Sequence, residues 1–275
     1  MAGIVIGVIL LIIGVVFFVM RGSDQKKLEQ LTGSGKQKLG ELVPILNETK
    51  ASLGDLGEDG AISENVTVMG TPKCDQPLKS PLGGQDCIYY KYTVKNIWTE
   101  RYTETNSEGR SVTRTRRHED VMDSGESSVP FTIDDGTGTI LVDPMDGTFE
   151  GLTKTVERSE NNFANMNGPS IQIGGLSLNL HNLGGGRSRP ESIKYSEEII
   201  GLNRRLTVVG NVCDKMGELC IQKNGKTKVI ISTKSADEMV ADSKKAVRNK
   251  GIGAVVCGGL GILAIIIGII VKIAS

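Results

Sequence analysis

Aromatic residues are scarce, 4% of the chain with a single Trp, which counts against a platform on which nucleotide bases stack. Neither charge is in excess: 32 Lys and Arg balance 32 Asp and Glu. No global field therefore draws in nucleic acid, and none is expected as a partner. Histidines number two and cysteines five, with no C-x-x-C pair, no H-E-x-x-H and no G-x-S-x-G. The usual signatures of zinc modules, zinc proteases and serine hydrolases are thus missing. Gly33-Ser34-Gly35-Lys36 looks like part of a phosphate loop, but Gln30 and Gln37 stand where that loop needs Gly and Ser or Thr. No cofactor is expected.

What the chain does have is two long uncharged runs. Ala2 to Met20 carries no charge, and at about 1.5 Å of rise per residue it nearly spans a hydrocarbon core of about 30 Å. Nothing basic precedes it and Arg21 follows it, the layout of an anchor rather than a cleaved signal. Ile252 to Val271 is a second run of similar length. Basic residues cluster just inside both runs, Arg21, Lys26, Lys27, Lys36 and Lys38 after the first and Lys244, Lys245, Arg248 and Lys250 before the second. By the positive-inside rule they place the intervening domain on the cytoplasmic side. Gly3, Gly7 and Gly14 share a face of the first run, and Ala264 and Gly268 repeat small-xxx-small spacing in the second. They allow close packing of the two helices or of two copies, although glycine is common in membrane helices generally.

Between the runs the pattern changes. Residues 21–60 read as a juxtamembrane helical linker, with Leu39, Leu42, Val43 and Leu46 on one face. Residues 61–234 read as strands. Ile88 to Val94 is aromatic and β-branched, and Val112 to Val121 alternates Thr and Arg in the manner of a solvent-facing or edge strand. Phe131-Thr132-Ile133 and Ile140-Leu141-Val142 flank a turn at Asp134 to Gly138, and Ile221 to Ile231 repeats that layout around Asn224-Gly225. Val66-Thr67-Val68-Met69-Gly70 and Leu206-Thr207-Val208-Val209-Gly210 also echo each other. The fold class is therefore mainly β, two related β-rich halves in a small barrel or sandwich, with two transmembrane α-helices and juxtamembrane helices. Residues 161–189 are Asn- and Gly-rich, with Ile171 and Ile173, then Leu176, Leu178 and Leu180, alternating as short extended segments, an insertion or flexible hairpin. Ser235 with Glu238 is a capping box opening a basic amphipathic helix over 235–250, before the second span at 252–271. That basic segment would lie at headgroup level, where it could meet anionic lipid.

Candidate chemistry is thin. If residues 213–220 form a hairpin, Cys213 and Cys220 face each other, and a disulfide is geometrically possible should the domain face an oxidising compartment. A zinc site from Cys74, Cys87, Cys213 and Cys220 is the metal alternative, and buried free thiols are the plain one. Asp134, Asp135, Asp143 and Asp146 are spaced like carboxylates around a cation but lack calcium-loop order, and turn chemistry is the better explanation of them. Arg114 to His118 could meet phosphate or form a solvated strand face. Asn47 and Asn65 open glycosylation sequons. No nucleophile, base and oxyanion site assemble, so no metal and no catalytic residue is assigned.

A family resemblance emerges from several of these residues together. Pro81-Leu82, Cys87, Tyr89 and Tyr90, then Pro130-Phe131, the Asp135-Gly136-Thr137-Gly138 turn and Asp143-Pro144, resemble the BAM (beside a membrane) domain of the GIDE family. So do Arg189-Pro190, Glu197-Glu198 and the Leu206 to Gly210 strand, with Asn203 where that family often has glycine. The similarity runs from Val66 to Lys272. It implies a domain lying between two membrane helices, which in eukaryotic members precedes a RING finger acting as a ubiquitin or SUMO ligase on mitochondria or chloroplasts. A RING needs eight Cys or His ligands, whereas these residues offer five plus two, and the chain stops four residues after the second span. The chain therefore looks like the RING-less, prokaryote-like form, a sensing or scaffolding protein of the cell membrane. Its expected partners are the lipid bilayer and other membrane-associated proteins, or a second copy of itself. The eukaryotic domain faces the intermembrane space, whereas the charge count here faces the cytoplasm. The alternative is a ubiquitin-ligase subunit that depends on a RING in another chain.

Overall fold

The computed structural model describes residues 2–53, 62–161, 170–179, 189–214, 218–225 and 227–274. Helix α1 (Ala2–Gly33) is followed by strand β1 (Gly35–Lys36), helix α2 (Leu39–Leu53), and strands β2 (Ser63–Lys73), β3 (Leu78–Lys79), β4 (Asp86–Thr105) and β5 (Ser111–Ser128). Strands β6 (Phe131–Asp134), β7 (Thr139–Val142), β8 (Thr148–Glu150), β9 (Thr153–Glu160), β10 (Ser170–Ile173) and β11 (Leu176–Asn179) come next. The chain ends with β12 (Arg189–Gly201), β13 (Leu206–Cys213), β14 (Cys220–Gln222), β15 (Ile230–Ser232) and helix α3 (Ala236–Ala274).

Both apolar runs are parts of longer helices, each long and apolar enough to cross a membrane. Helix α1 continues past Met20 to Gly33, and the predicted basic helix and second span are one unbroken α3 of 39 residues. At about 1.5 Å per residue α3 is near 58 Å long, about twice a hydrocarbon core, so much of it stands clear of any bilayer it crosses. The capping box forms: Ser235 N donates to Glu238 Oε2 (2.8 Å) and Glu238 N to Ser235 Oγ (3.3 Å). The two helices pack antiparallel. Gly3 lies against Ala264 and Gly268, Gly7 against Gly261 and Ile265, and Gly14 against Ala254 and Gly258. Around the pair, Val5, Ile12, Val19, Val255 and Ile270 remain exposed, the surface expected of helices solvated by lipid tails.

The β-rich part contains a small closed barrel in which β2, β6, β7, β14 and β13 pair in turn and β13 returns to β2. The echoing segments are neighbours in this ring, paired antiparallel about Val68 and Val208. Strand β13 is buried along its whole length because both of its faces are covered. Leu206, Val208 and Val212 fill the barrel with Val66, Val68, Phe131 and Ile133, while Val209 packs outward with Leu31, Ile230 and Met239 of the helix side.

Two expectations are corrected. Asn224 and Thr227 exchange backbone hydrogen bonds around the expected turn (3.1 and 3.0 Å), but among the described residues β14 and β15 do not go on to pair with each other: each pairs with a different part of β13, which is long enough to serve both. Helix α2 is no linker, since Leu39, Leu42 and Leu46 are buried in the barrel core. Within the Asn- and Gly-rich insert the alternating segments do pair, β10 and β11 forming a hairpin that buries Ile173 and Leu178 against Val94, Ile193 and Tyr195. Residues 162–169 and 180–188 of that insert, and 54–60 of the linker, lie outside the described residues.

Beside the barrel stands a second sheet in which β4 is central, pairing with β12 on one edge and β5 on the other, with β9 beyond β12 and β3 on the start of β4. The β4–β5 hairpin runs to Thr105 and Ser111, past the end of β12 at Thr99. At about 3.3 Å per residue it projects some 20 Å beyond the shared sheet.

Candidate functional site

The alternation Ile193, Tyr195, Glu197, Ile199 places every one of these side chains on the buried face of β12. A carboxylate at an inward position must be hydrogen-bonded or it is costly. Glu197 is fully buried, and its partners come from the Ser80–Gln85 turn and from β9. Leu82 N donates to Oε2 (2.6 Å), Gly83 N reaches Oε1 (3.1 Å), and Thr155 Oγ1 donates to Oε1 (2.8 Å). The Pro81-Leu82 step and one of the paired glutamates, more than a hundred residues apart in the chain, are therefore one unit. Cys87 and Tyr89 begin β4 beside it, opposite Gly201 and Ile200. Tyr89 stacks on Phe149 (3.8 Å between centroids) and donates to Glu126 (2.8 Å). Burial, then the Glu126 contact, pushes its hydroxyl pKa up. Tyr90 and Glu198 follow one position on, paired with Ile199 and Lys91. A groove of about 550 Å3 opens beside this turn, lined by Lys79, Gly84, Asp86, Thr153, Ile199 and Arg204.

The Asp135 to Gly138 turn serves helix α2. The first N–H groups of a helix have no partner within it. Here Leu39 N donates to Asp135 Oδ2 (2.8 Å) and Gly40 N to Thr137 Oγ1 (2.9 Å), so the turn caps α2 from another part of the chain. A side chain at Gly40 would lie 2.7 Å from Thr137 O, and one at Gly138 would meet the start of α2. Burial alone raises the Asp135 pKa, but the N–H groups of Leu39, Thr137 and Gly138 and the Thr137 hydroxyl outweigh it and hold the carboxyl below its ordinary value. A lowered folded-state pKa contributes stability that is present above the unfolded value of about 3.9 and lost as pH falls through the folded one. Acid titration followed by Trp98 fluorescence should therefore show the wild type losing stability below about pH 4, with part of that dependence absent in Asp135→Asn.

Near the turn, Pro130 and Phe131 line another groove of about 550 Å3 with Lys73, Cys74 and Val129. Asp143 accepts from Met145 N (3.0 Å) and Pro144 from Gly147 N (2.8 Å), so Asp143-Pro144 makes a turn. Asp146 pairs with Lys223 and Asp134 with Lys73. These carboxylates are turn and ion-pair residues, not a cation cradle. Gly210 sits where a side chain would strike Ile221. Arg189 and Pro190 pair with Thr99 and Trp98 through the backbone, and their side chains lie outside the described residues.

The four-cysteine alternative does not assemble: among the described residues no three His, Cys, Asp or Glu side chains gather to hold a metal ion. Cys74 is at the barrel rim, Cys87 on the second sheet beside Leu78 O, and Cys213 and Cys220 on paired strands. Cys213 and Cys220 are directly opposed as expected, yet both are free thiols, Cys213 Sγ accepting from the Gln222 amide (2.7 Å). Met216-Gly217 lies outside the described residues. Burial pushes Cys220 up to about 11. Burial, then Glu197 and Asp86, does the same to Cys87, up to about 11. Neither is a thiolate at neutral pH, so neither is poised as a nucleophile. His118 bonds to Glu100 (3.0 Å) and stacks on Trp98, while Arg114 pairs with Glu104 (2.6 Å) and Arg116 covers Tyr102. The arginine cluster is thus engaged across the β4–β5 ladder. His181 lies outside the described residues.

No curated protein and no solved structure matches the chain. The family model of GIDE, described as E3 ubiquitin ligase, matches residues 99–266, a span that takes in Pro130 to Gly210 and most of α3, while Pro81 to Tyr90 precede it. That match covers more than half of the 275 residues, and the chain belongs to the GIDE family.

Proposed function

We propose that this is a two-pass membrane protein of a prokaryotic cell membrane whose β-rich domain binds partners beside the bilayer, as a sensing or scaffolding module, on the cytoplasmic side. The observation that carries the reading is how the domain is fastened to the helix pair. Leu31 of α1 and Met239 of α3 share a buried cluster with Val209 and Ile230. Around that cluster Lys27 pairs with Glu150, Lys36 with Asp237 (2.8 Å), Gln30 donates to Lys228 O (2.8 Å), and Ser34 bonds Thr67 (2.6 Å). Such attachment suits a domain that works at a fixed height over a membrane rather than on a tether. The grooves beside Pro81-Leu82 and Pro130-Phe131 are its candidate partner surfaces.

The non-catalytic part of the reading rests on the residues: seven Cys and His against the eight ligands of a RING, and two thiols held neutral. The family description supports a second reading, a ubiquitin-ligase subunit that draws its RING from another chain. Incubating the purified chain with ubiquitin, its activating and conjugating enzymes and ATP should give no transfer above a control without the chain. Transfer by the chain alone would replace the first reading.

Orientation is tested through Cys74, which is half-buried at a groove, whereas Cys87, Cys213 and Cys220 are buried. A membrane-impermeant maleimide should label it only after lysis of cells expressing the full chain, and Cys74→Ser should abolish that signal. Labelling of intact cells would put the domain outside.

A further inference from the structure

Where α1 and α3 emerge from their apolar stretches, a groove of about 600 Å3 opens between them, lined by Arg21, Leu28, Lys244, Arg248, Ile252 and Val255. On α3 these positions recur at i, i+4, i+8 and i+11, one stripe of a helix face about 17 Å long. Its domain end is cationic. Its other end runs onto the membrane-facing surface, where Ile252 and Val255 are 57% and 75% exposed.

The charges of the three cations are not matched within the fold. Lys250, one turn away, is neutralised by Asp24 at 2.7 Å. No ion pair holds Arg21, Lys244 or Arg248 among the described residues, and no carboxylate lines the groove. Arg21 packs over Gly251, and its Nε is buried without a hydrogen-bond partner. A buried guanidinium N–H left unpaired is costly, and an anionic oxygen is the partner that best removes the cost. The chemistry that fits is a negative phosphate above and hydrocarbon below.

We propose that this groove binds an anionic phospholipid, its phosphate among Arg21, Lys244 and Arg248 and its acyl chains along Ile252 and Val255. The proposal rests on the reading of α1 and α3 as membrane-spanning. It explains why the cations stand at this level unpaired: the lipid is their counterion. A free phosphate would satisfy the guanidinium but leave the apolar half of the groove without an occupant.

The test is native mass spectrometry of the full chain released from detergent, titrated with phosphatidylglycerol or phosphatidylcholine of the same acyl chains. Phosphatidylglycerol should be retained preferentially, and each of Arg21→Gln, Lys244→Gln and Arg248→Gln should weaken retention about fivefold, the worth of one cation at an anionic surface. Lys26→Gln with Lys245→Gln, the same kind of charge on the same helices but outside the groove, should leave retention unchanged. Equal retention of the two lipids, equal loss in the control pair, or displacement by millimolar inorganic phosphate would each overturn the proposal. Resistance of the vesicle-reconstituted chain to alkaline extraction tests the membrane reading separately. Insertion without lipid preference removes only this site, whereas extraction of the chain removes the reading beneath it.

Discussion

Glu197→Ala is expected to cost about 3 kcal/mol of stability, the loss of one acceptor from two backbone N–H groups and a hydroxyl inside the fold. The carboxylate has no solvent exposure and holds Leu82 N, Gly83 N and Thr155 Oγ1 together. Removing it frees the Ser80–Gln85 turn from β12 and leaves a cavity beside Val156, which packs in the same cluster as Leu82. For a chain of this size about 3 kcal/mol corresponds to a melting temperature lower by about 10 °C, readable in detergent from the single Trp, Trp98. Glu197→Gln should fall between, because its carboxamide presents one acceptor and one group that opposes the facing N–H. Glu198→Ala, the adjacent residue on the opposite face of β12, should stay within about 0.5 kcal/mol of wild type. A similar effect at both positions would mean that the turn is held by packing alone.

The second large effect is expected in the helix pair. A Cβ at Gly7 would stand 2.7 Å from Gly261 O and 3.0 Å from Ile265 N, backbone atoms of α3 that cannot swing aside. Gly7→Leu must therefore separate the helices, at a cost of about 1 to 3 kcal/mol or more for overpacking, and it should lower the helical melting transition and open the α1–α3 seam to protease. Gly22 has nothing near it, so Gly22→Leu should be neutral or should gain up to about 1 kcal/mol of helix propensity. Equal behaviour of the two variants would mean that the small residues of α1 reflect only the composition of membrane helices.

How far the sequence announces this architecture depends on where each element finds its partners. The Phe131 to Val142 hairpin and the Ser235 cap are self-contained, their signals lying within a few residues, and both are legible. Strand β4 is read only from Ile88 to Val94, yet it continues to Thr105 because β5 supplies a ladder for a segment whose Thr, Glu and Arg residues are polar on both faces. Gly251 to Gly253 looks like a boundary between two helices. It is ordinary helix because Arg21 and Phe17 of α1 pack over those glycines. The two residues of β1 carry no pattern at all and are ordered by β2. Glu197 did leave a trace, an acid at an inward position of a period-two strand. Its meaning needs the Pro81–Gly84 turn, which no local reading supplies.

The outer side of β5 has consequences for how copies of this protein meet one another. Among the described residues β5 pairs only with β4, so eighteen residues of strand present an open edge. Open edges invite the same edge on another molecule. Here the strand carries Arg114, Arg116, Arg117, Glu119, Asp120, Asp123 and Glu126, and the β4–β5 ladder is irregular at Val94/Lys95. Two such edges brought together would have to bury this row of charges along a bent line. A charged and kinked edge of this kind resists pairing with the same edge of a second molecule.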